Sequence, residues 1–359
     1  MIRVAVVGYG RCGEAHARCY SAMPDAAVVA VVDSTPTRRR IACRHHPHAE
    51  VVGSLTELSA EVDLALICTP PSSHETYIEE SLLRGAHVFC EKPVFLDPVN
   101  GRRLIDLASA RARIIFPGHN YLFAPVLNAL REQCSPARIG RPQRVEITID
   151  RTRPAPGISD WRPGWRSDRG VAGGGILVDH GAHCVYLTEW LCDRQIRQVS
   201  CRIRYGASGI DDWSELRLRL GGGLTAMVTL DWRAVSRRTA YRVIGEYGTA
   251  AVVLDGQSGA VPGGRVTGPV PAQTRNGHTH ADWMPEMARE VLRHVVSASD
   301  VRALAAPALT VAEVIAAAYA SARAGGRWHS VGTHDRARTD LPHQAGARWR
   351  AIRSGKSSP

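Results

Sequence analysis

The residues able to do chemistry in this chain are few and widely spaced. Only Lys92 and Lys356 are lysines among 45 basic side chains, and the rest are arginines. Arginine already supplies surface charge here, so an interior lysine points to a task specific to an ammonium group. A desolvated lysine can release its proton near neutral pH, whereas a guanidinium cannot. Lys92 stands in Glu91-Lys92-Pro93, directly after the apolar run His87 to Cys90. A second group lies in Gly173-Gly174-Gly175-Ile176-Leu177-Val178-Asp179-His180-Gly181-Ala182-His183. Asp179 and His183, four positions apart, share a face of a helix, with His180 turned about 100° away. A carboxylate and an imidazole on one face can orient a polyol and relay a proton. An amine beside them can accept the hydroxyl proton of a carbinol as its hydride leaves. The same segment also reads as a helix start followed by a buried histidine. Asp179, His183 and Cys184 are metal-ligand types, but H-E-x-x-H and paired CxxC spacings are absent, so no metal is expected.

A different chemistry sits at the beginning of the chain. Gly8-Tyr9-Gly10-Arg11-Cys12-Gly13 follows a β-branched run and opens a helical stretch, the context in which G-x-G-x-x-G binds a dinucleotide. The glycines permit a tight turn, close approach of a pyrophosphate and close helix packing, while the helix N-terminus attracts negative charge. Asp33 ends the next apolar run and is suited to the adenosine ribose hydroxyls. It favours NAD over NADP, although Arg38, Arg39 and Arg40 just beyond could compensate a 2'-phosphate. Thr69 and Pro70, in the turn after the third run, are expected near the nicotinamide half. His74 either joins them or caps the following helix.

These groups need a scaffold that brings strand ends together. Up to residue 117, apolar runs at Ile2 to Val7, Val28 to Val32, Leu64 to Cys68, His87 to Cys90 and Arg113 to Phe116 alternate with helical stretches at Glu14 to Met23, Thr35 to His45, His74 to Arg84 and Pro98 to Ala110. Unalternated β-branched runs fit a parallel sheet covered on both faces, so residues 1–117 are expected to form a doubly wound α/β domain. From 118 to 331 the pattern becomes α+β. Helices are expected at Ala124 to Gln133, Gly175 to Leu191, Asp282 to Val296 and Pro307 to Ala324. Strands are expected at Gln195 to Tyr205, Ser214 to Leu220, Leu224 to Trp232, Tyr241 to Glu246 and Ala250 to Leu254. Connections as short as Gly221 to Gly223 and Tyr247-Gly248 imply hairpins and a mostly antiparallel sheet. Residues 332–359 read as a loosely docked basic tail.

Composition narrows the function classes. The formal charge of +11 is concentrated partly in the tail, and no basic stripe is interleaved with aromatics, so nucleic acid is not an expected partner. No run of about 20 apolar residues and no secretory signal is apparent, so neither a membrane nor export is expected. Nine scattered cysteines suit reduced thiols in a cytoplasm. The loop Asp160 to Arg169 carries Trp161, Arg162, Trp165 and Arg166, planar rings and guanidinium groups that can stack on a sugar or hold phosphate or carboxylate. It reads equally as a solvated loop over packed tryptophans. His278, His280 and Trp283, preceding a helix, could close the far side of a pocket.

In order along roughly 330 residues, GYGRCG, Asp33, CTPPSSH, EKP, HNYLFAP with IGRP, GGGILVDHGAH, Gly245 to Thr249 and AAAYASARAGGRW make the chain resemble the glucose-fructose oxidoreductase, inositol dehydrogenase and MocA (Gfo/Idh/MocA) family. The resemblance implies a Rossmann domain, a second domain whose open sheet builds a homodimer or homotetramer, and nicotinamide-dependent chemistry on a sugar, cyclitol or sugar nucleotide. It implies Lys92 as the active-site lysine before a cis proline, and Asp179 and His183 as the polar pair facing substrate, with Lys92 and His183 as the proton-handling groups and His183 the likelier acid or base of the pair. Asn120, Tyr121, His180 and His280 are expected to line the substrate site, and Gly8, Gly10, Arg11, Cys12, Gly13, Asp33, Arg38, Thr69, Pro70, His74, Glu91 and Lys92 the cofactor site. Leu122 departs from the arginine that many members carry there. Two other readings stand beside this one: a non-catalytic regulator sensing NAD or a sugar, and a reductase of a different carbonyl or imine.

Overall fold

The computed structural model describes residues 1–255, 258–260, 282–297 and 299–332. The first sheet is all parallel and runs β3(Glu50–Val52), β2(Ala26–Val32), β1(Ile2–Val7), β4(Leu64–Ile67), β5(His87–Glu91), β6(Ile115–Gly118). Its crossovers are α1(Arg11–Ser21), α2(Pro36–His45), α3(His74–Leu83) and α4(Pro98–Ala110). Strand order reverses between β1 and β4, which opens a crevice beyond their carboxyl ends. The residues of β4 and all but the first two of β1 are buried, as expected for a sheet covered on both faces. β3 was not anticipated, because three residues carry too little periodicity to register.

The second half begins with α5(Pro125–Gln133), α6(Pro136–Ile139), β7(Pro142–Asp150), α7(Arg169–Ala172), α8(Ile176–Asp179) and α9(Gly181–Cys192). It continues through β8(Ile196–Tyr205), β9(Asp211–Leu220), β10(Thr225–Asp231), β11(Arg238–Gly245), β12(Thr249–Asp255) and β13(Ser258–Ala260), and ends in α10(Met284–Val296), α11(Val301–Arg323) and β14(His329–Ser330). These strands form one sheet in the order β13-β12-β11-β7-β10-β9-β8-β14. The anticipated hairpins β9–β10 and β11–β12 are antiparallel, while β7 and β10 pair in parallel. β7 escaped the sequence reading although Val145, Ile147 and Ile149 alternate into the core. It lies between β11 and β10 and is central to the sheet.

Two helix expectations need correction. Gly175 to Leu191 is not one helix but α8 and α9 meeting at His180. The last helix starts at Val301 rather than Pro307, with the Asp300 carboxylate accepting from the Ala303 N–H, and Pro307 lies inside it. α11 is also long and apolar enough to cross a membrane by length and composition, contrary to the reading that no segment approaches a span. Here it packs on α4, α9, β6 and β8, burying Leu304, Val311, Val314 and Ala318. With α10 against α1, the late helices tie the two sheets into one continuous core.

Candidate active site

The glycine-rich turn has the shape its motif requires. Gly8 adopts a φ of 89°, and a Cβ there would lie 2.8 Å from the Thr69 side chain. A Cβ on Gly13 would come within 1.9 Å of the Gly8 carbonyl oxygen, whereas one on Gly10 would enter open space at the start of α1. That open, side-chain-free helix N-terminus fits a dinucleotide pyrophosphate. Asp33 accepts hydrogen bonds from the Tyr9 N–H at 2.7 Å and the Thr35 N–H at 2.8 Å, linking the turn to the end of β2. Arg38 is buried: its Nε donates to the Tyr9 carbonyl at 2.6 Å and its Nη2 to Glu14 at 2.9 Å. It braces the loop from behind, while Arg40 is exposed and donates to Thr37. His74 begins α3, with its ring between the carbonyl oxygens of Thr69 at 2.7 Å and Pro93 at 2.8 Å. Thr69 itself accepts from the Ser73 hydroxyl. Arg11 is the exposed first residue of α1.

Glu91 joins this crevice to the lysine. Its Oε1 receives Cys12 Sγ and His16 Nε2, each at 3.1 Å. Burial alone would lower the His16 imidazolium, but Cys12 and Glu91 outweigh it and raise its pKa to about 10. Burial would likewise raise the Glu91 carboxyl, yet His16, Cys12 and Lys92 pull it to about 2. Cys12, His16 and Glu91 are metal-ligand types whose ligand atoms lie within 4.8 Å of one another. Here they are joined to one another by the hydrogen bonds of Cys12 and His16 to Glu91.

Beyond Glu91 the chain turns at a cis Lys92–Pro93 bond. Lys92 Nζ donates to Asp179 Oδ1 and to the Asp179 carbonyl, both at 2.8 Å. Both side chains remain reachable, at 18% and 16% exposure, and an ammonium has three protons, so one is left beyond the two bonds to Asp179. Arg166 Nε lies 3.6 Å from Asp179 Oδ2, and His180 Nδ1 lies 3.3 Å from the same oxygen without hydrogen-bond alignment. Burial raises the Asp179 carboxyl, but Lys92, His180 and Arg166 together hold it well below the usual carboxylate range. Burial pushes His180 down to about 3, so its contact with Asp179 is that of a neutral ring.

Asp179 is placed by a device absent from the sequence reading. Asp211, buried at the start of β9, accepts from the N–H groups of Gly175 and Leu177 at 2.8 Å each and from the Tyr319 hydroxyl at 2.7 Å. A Cβ on Gly175 would lie 1.9 Å from the Asp211 carbonyl oxygen, which explains a glycine just before α8. On α9, His183 is buried against the Tyr121 ring, centroids 4.3 Å apart, and its Nδ1 lies 2.7 Å from the Tyr186 hydroxyl. Burial, then Lys92 and His180, keep it well below its ordinary pKa and therefore neutral. Trp283 meets Tyr121 edge-on, with centroids 5.3 Å apart. The Asn120 Oδ1 is buried with no hydrogen-bond partner, and Leu122 is fully buried.

Around this group, Arg166 stacks on Trp165 at 4.2 Å and donates to the Ala155 carbonyl, while Arg162 is exposed over Trp161. Arg151, at the end of β7, is 7% exposed and donates to the carbonyls of Asp150 and Arg238. It forms no ion pair among the described residues, and its charge helps to hold His180 neutral. His278 and His280 lie outside the described residues. His16, Arg151, Tyr186 and Asp211 were missed by sequence reasoning. Only His16 left a local signal, three positions past Gly13 on the buried face of α1.

Comparison with known proteins agrees with this geometry. Residues 2–119 match the family model described as an oxidoreductase family with an NAD-binding Rossmann fold, and residues 127–251 match the GFO/IDH/MocA C-terminal domain. An inositol 2-dehydrogenase of Rhizobium meliloti is 33% identical over 148 residues, covering 41% of this chain and 44% of that protein. A myo-inositol 2-dehydrogenase of Thermotoga maritima is 26% identical over 242 residues, covering 65% and 70%. With the D-glucoside 3-dehydrogenase of Escherichia coli the match spans 51% of each chain at 28% identity, so the chain matches only about half the length of some curated relatives. The crystal structure of GenD2 from gentamicin A biosynthesis in complex with NAD aligns at a TM-score of 0.79 and 26% identity, over 92% of this chain and 97% of that one. Both sheets, the crevice between β1 and β4 and these matches identify the chain as a member of the Gfo/Idh/MocA oxidoreductase family.

Proposed function

We propose that this protein is an NAD-dependent dehydrogenase that moves a hydride between nicotinamide and a secondary alcohol or ketone carbon of a sugar, cyclitol or sugar nucleotide. The observation that carries it is the junction at the end of β5. Glu91 contacts Cys12 of the glycine-rich turn, and the adjacent Lys92 reaches Asp179 at 2.8 Å. An ammonium is thereby held at the mouth of a dinucleotide crevice, beside a carboxylate and a neutral imidazole. NAD, when bound, supplies the hydride-accepting ring. Gly8, Gly10 and Gly13 would cradle its pyrophosphate and Asp33 its ribose, with Thr69 and Pro70 toward the nicotinamide. Lys92 takes and returns the proton of the reacting hydroxyl, Asp179 aims the lysine, and His183 meets the same oxygen. The names of the relatives, inositol and glucoside dehydrogenases among them, support a polyol substrate.

The substrate in this reading is anionic. Arg151 is a buried guanidinium that forms no ion pair among the described residues and donates only to backbone carbonyls there. Buried cations of this kind are favourable only when paired. Residues 1–117 bind the cofactor, and residues 118–331 bind substrate and pair through the open sheet into a homodimer or homotetramer in the cytoplasm. Light scattering on the eluting protein checks the assembly.

The direct test follows absorbance at 340 nm while myo-inositol, other polyols, glucosides and sugar nucleotides are offered with NAD and with NADP. Reduction of NAD by at least one polyol is expected. Silence across all of them, with NADH still bound, would leave a sensor and sink the enzyme. Equal affinity for neutral and phosphorylated forms of the substrate by titration calorimetry would remove the anionic assignment.

A further inference from the structure

A cavity of about 220 Å³ lies between the turn that follows β5, the short helix α7 and the last helix α11. It is smaller than the roughly 300 Å³ at which pockets begin to take drug-sized ligands, so its occupant is small. Leu96, Val178, Ile315 and Ala316 give it an apolar wall. Tyr319 adds its ring to that wall, its hydroxyl being engaged by Asp211 at 2.7 Å. Two charges stand against this surface: Arg169 at the start of α7 and Arg323 at the end of α11, both exposed. Neither guanidinium forms an ion pair or a hydrogen bond among the described residues. The carboxylates on these elements are engaged elsewhere. Asp168, the residue before α7, accepts from the Gly170 N–H at 2.9 Å, and Glu313, the single acid of α11, pairs with Arg102. No residue proposed above to hold the cofactor or move the proton lines this cavity, although Pro93 and Val178 in its wall directly neighbour Lys92 and Asp179.

We propose that this cavity is a second binding site, for a small amphipathic monocarboxylate: a single ring or short hydrocarbon chain bearing one carboxylate. Charge complementarity carries the assignment. Two guanidinium groups without acidic partners face the same concavity, and the planar fork of an arginine matches a carboxylate with two parallel N–H···O bonds. The wall then selects among anions. A ligand that sheds water from its hydrocarbon against Leu96, Ile315 and the Tyr319 ring gains affinity that a wholly polar anion lacks. Inorganic phosphate can use the arginines but not the wall. A sugar or cyclitol presents hydroxyls on every side and finds no free polar group in the wall to meet them. The site is therefore chemically distinct from the proposed reacting centre, and the inference does not rest on the dehydrogenase reading.

The test titrates benzoate into the full chain by calorimetry, beside benzyl alcohol as the uncharged probe and inorganic phosphate as the wholly polar one. Benzoate is expected to bind at one site per chain, about tenfold more tightly than either, the scale of one charge-assisted contact or one buried ring. The double variant Arg169→Gln with Arg323→Gln is expected to weaken benzoate about tenfold. Ala316→Phe, which fills the cavity from an exposed position and leaves both arginines in place, is expected to weaken it as much. Lys92→Ala should leave benzoate affinity unchanged, since that amine belongs to the other site. Circular dichroism checks that each variant folds. Absent benzoate binding, phosphate or benzyl alcohol binding as tightly as benzoate, wild-type affinity in a folded double variant or in Ala316→Phe, or loss of binding in Lys92→Ala would each overturn the assignment. If neither cavity variant folds, the comparison of the three probes on the wild type decides alone. A failed polyol screen would remove the dehydrogenase reading and leave this result untouched.

Discussion

The proposed cofactor crevice and the proposed reacting centre are built in opposite ways. The crevice comes from neighbouring strand ends, and its polar groups largely satisfy one another: Asp33 takes the Tyr9 and Thr35 amides, Arg38 the Tyr9 carbonyl, and Glu91 both His16 and Cys12. The reacting centre gathers Lys92, Tyr121, Arg151, Arg166, Asp179 and His183 from separate elements. Several of its buried polar atoms have no hydrogen-bond partner, including Asn120 Oδ1, Arg166 Nε and His180 Nδ1. A backbone-built crevice can hold one invariant ligand on a short motif. A centre of converging side chains sets charge and proton traffic, and it depends on the whole fold to keep its members together.

The comparison can be broken most forcefully at Lys92. Lys92→Ala is expected to lower turnover by about 10³-fold, the scale of a lost proton-transfer group, with NADH affinity by fluorescence titration nearly unchanged. Substantial residual turnover would remove the lysine from the reaction. Asp179→Asn should come next, costing about 2 kcal/mol in urea unfolding at pH 7, less than a fully buried pair because both side chains are partly exposed. An unchanged midpoint would mean the pair contributes nothing.

The crevice has its own signature in pH. His16 is raised from 6.5 to about 10, so its stabilisation is complete below pH 6.5 and fades as the pH climbs toward 10. Glu91 is depressed from 4.5 to about 2, so its share is complete above pH 4.5 and fades below it. The pair therefore contributes most between these limits. His16→Ala is expected to cost about 1.5 kcal/mol near pH 6, the scale of a charge-assisted hydrogen bond, and to flatten the alkaline slope. A variant whose urea midpoint follows the wild-type slope from pH 6.5 to 9.5 would detach His16 from this behaviour. The smallest effect is expected at Asp33→Ala, about tenfold weaker NAD binding, or roughly 1.4 kcal/mol, with a lesser loss for NADP. Equal losses by titration would count against ribose recognition and leave Asp33 its bonds to the Tyr9 and Thr35 amides.

Much of the first sheet was legible because its signals are local. Strand β1 follows from a β-branched run that ends in the glycine-rich turn, and helix α4 from its proline start. The second sheet was partly legible, through hairpins marked by short glycine connections, but β7 was overlooked despite its alternating Val145, Ile147 and Ile149. Lys92, Asp179 and His183 could be named from residue type and spacing, although Asp179 and His183 stand on two helices, α8 and α9, and not on one face of a single helix.

What neighbours those residues could not be read. Asp211 holds the start of α8 from 36 positions away, and Lys92 meets Asp179 across 87. Arg151 and Tyr186 carry no mark in the sequence to separate them from other core residues. The sequence by itself determined which side chains had chemistry to offer and where strands would end, because backbone conformation and periodicity are local properties. Tertiary structure alone decided which of them meet, which are desolvated and which nitrogen of His183 lies against Tyr186. Burial and Coulomb interactions depend on distance in space, and separation along the chain does not encode that distance.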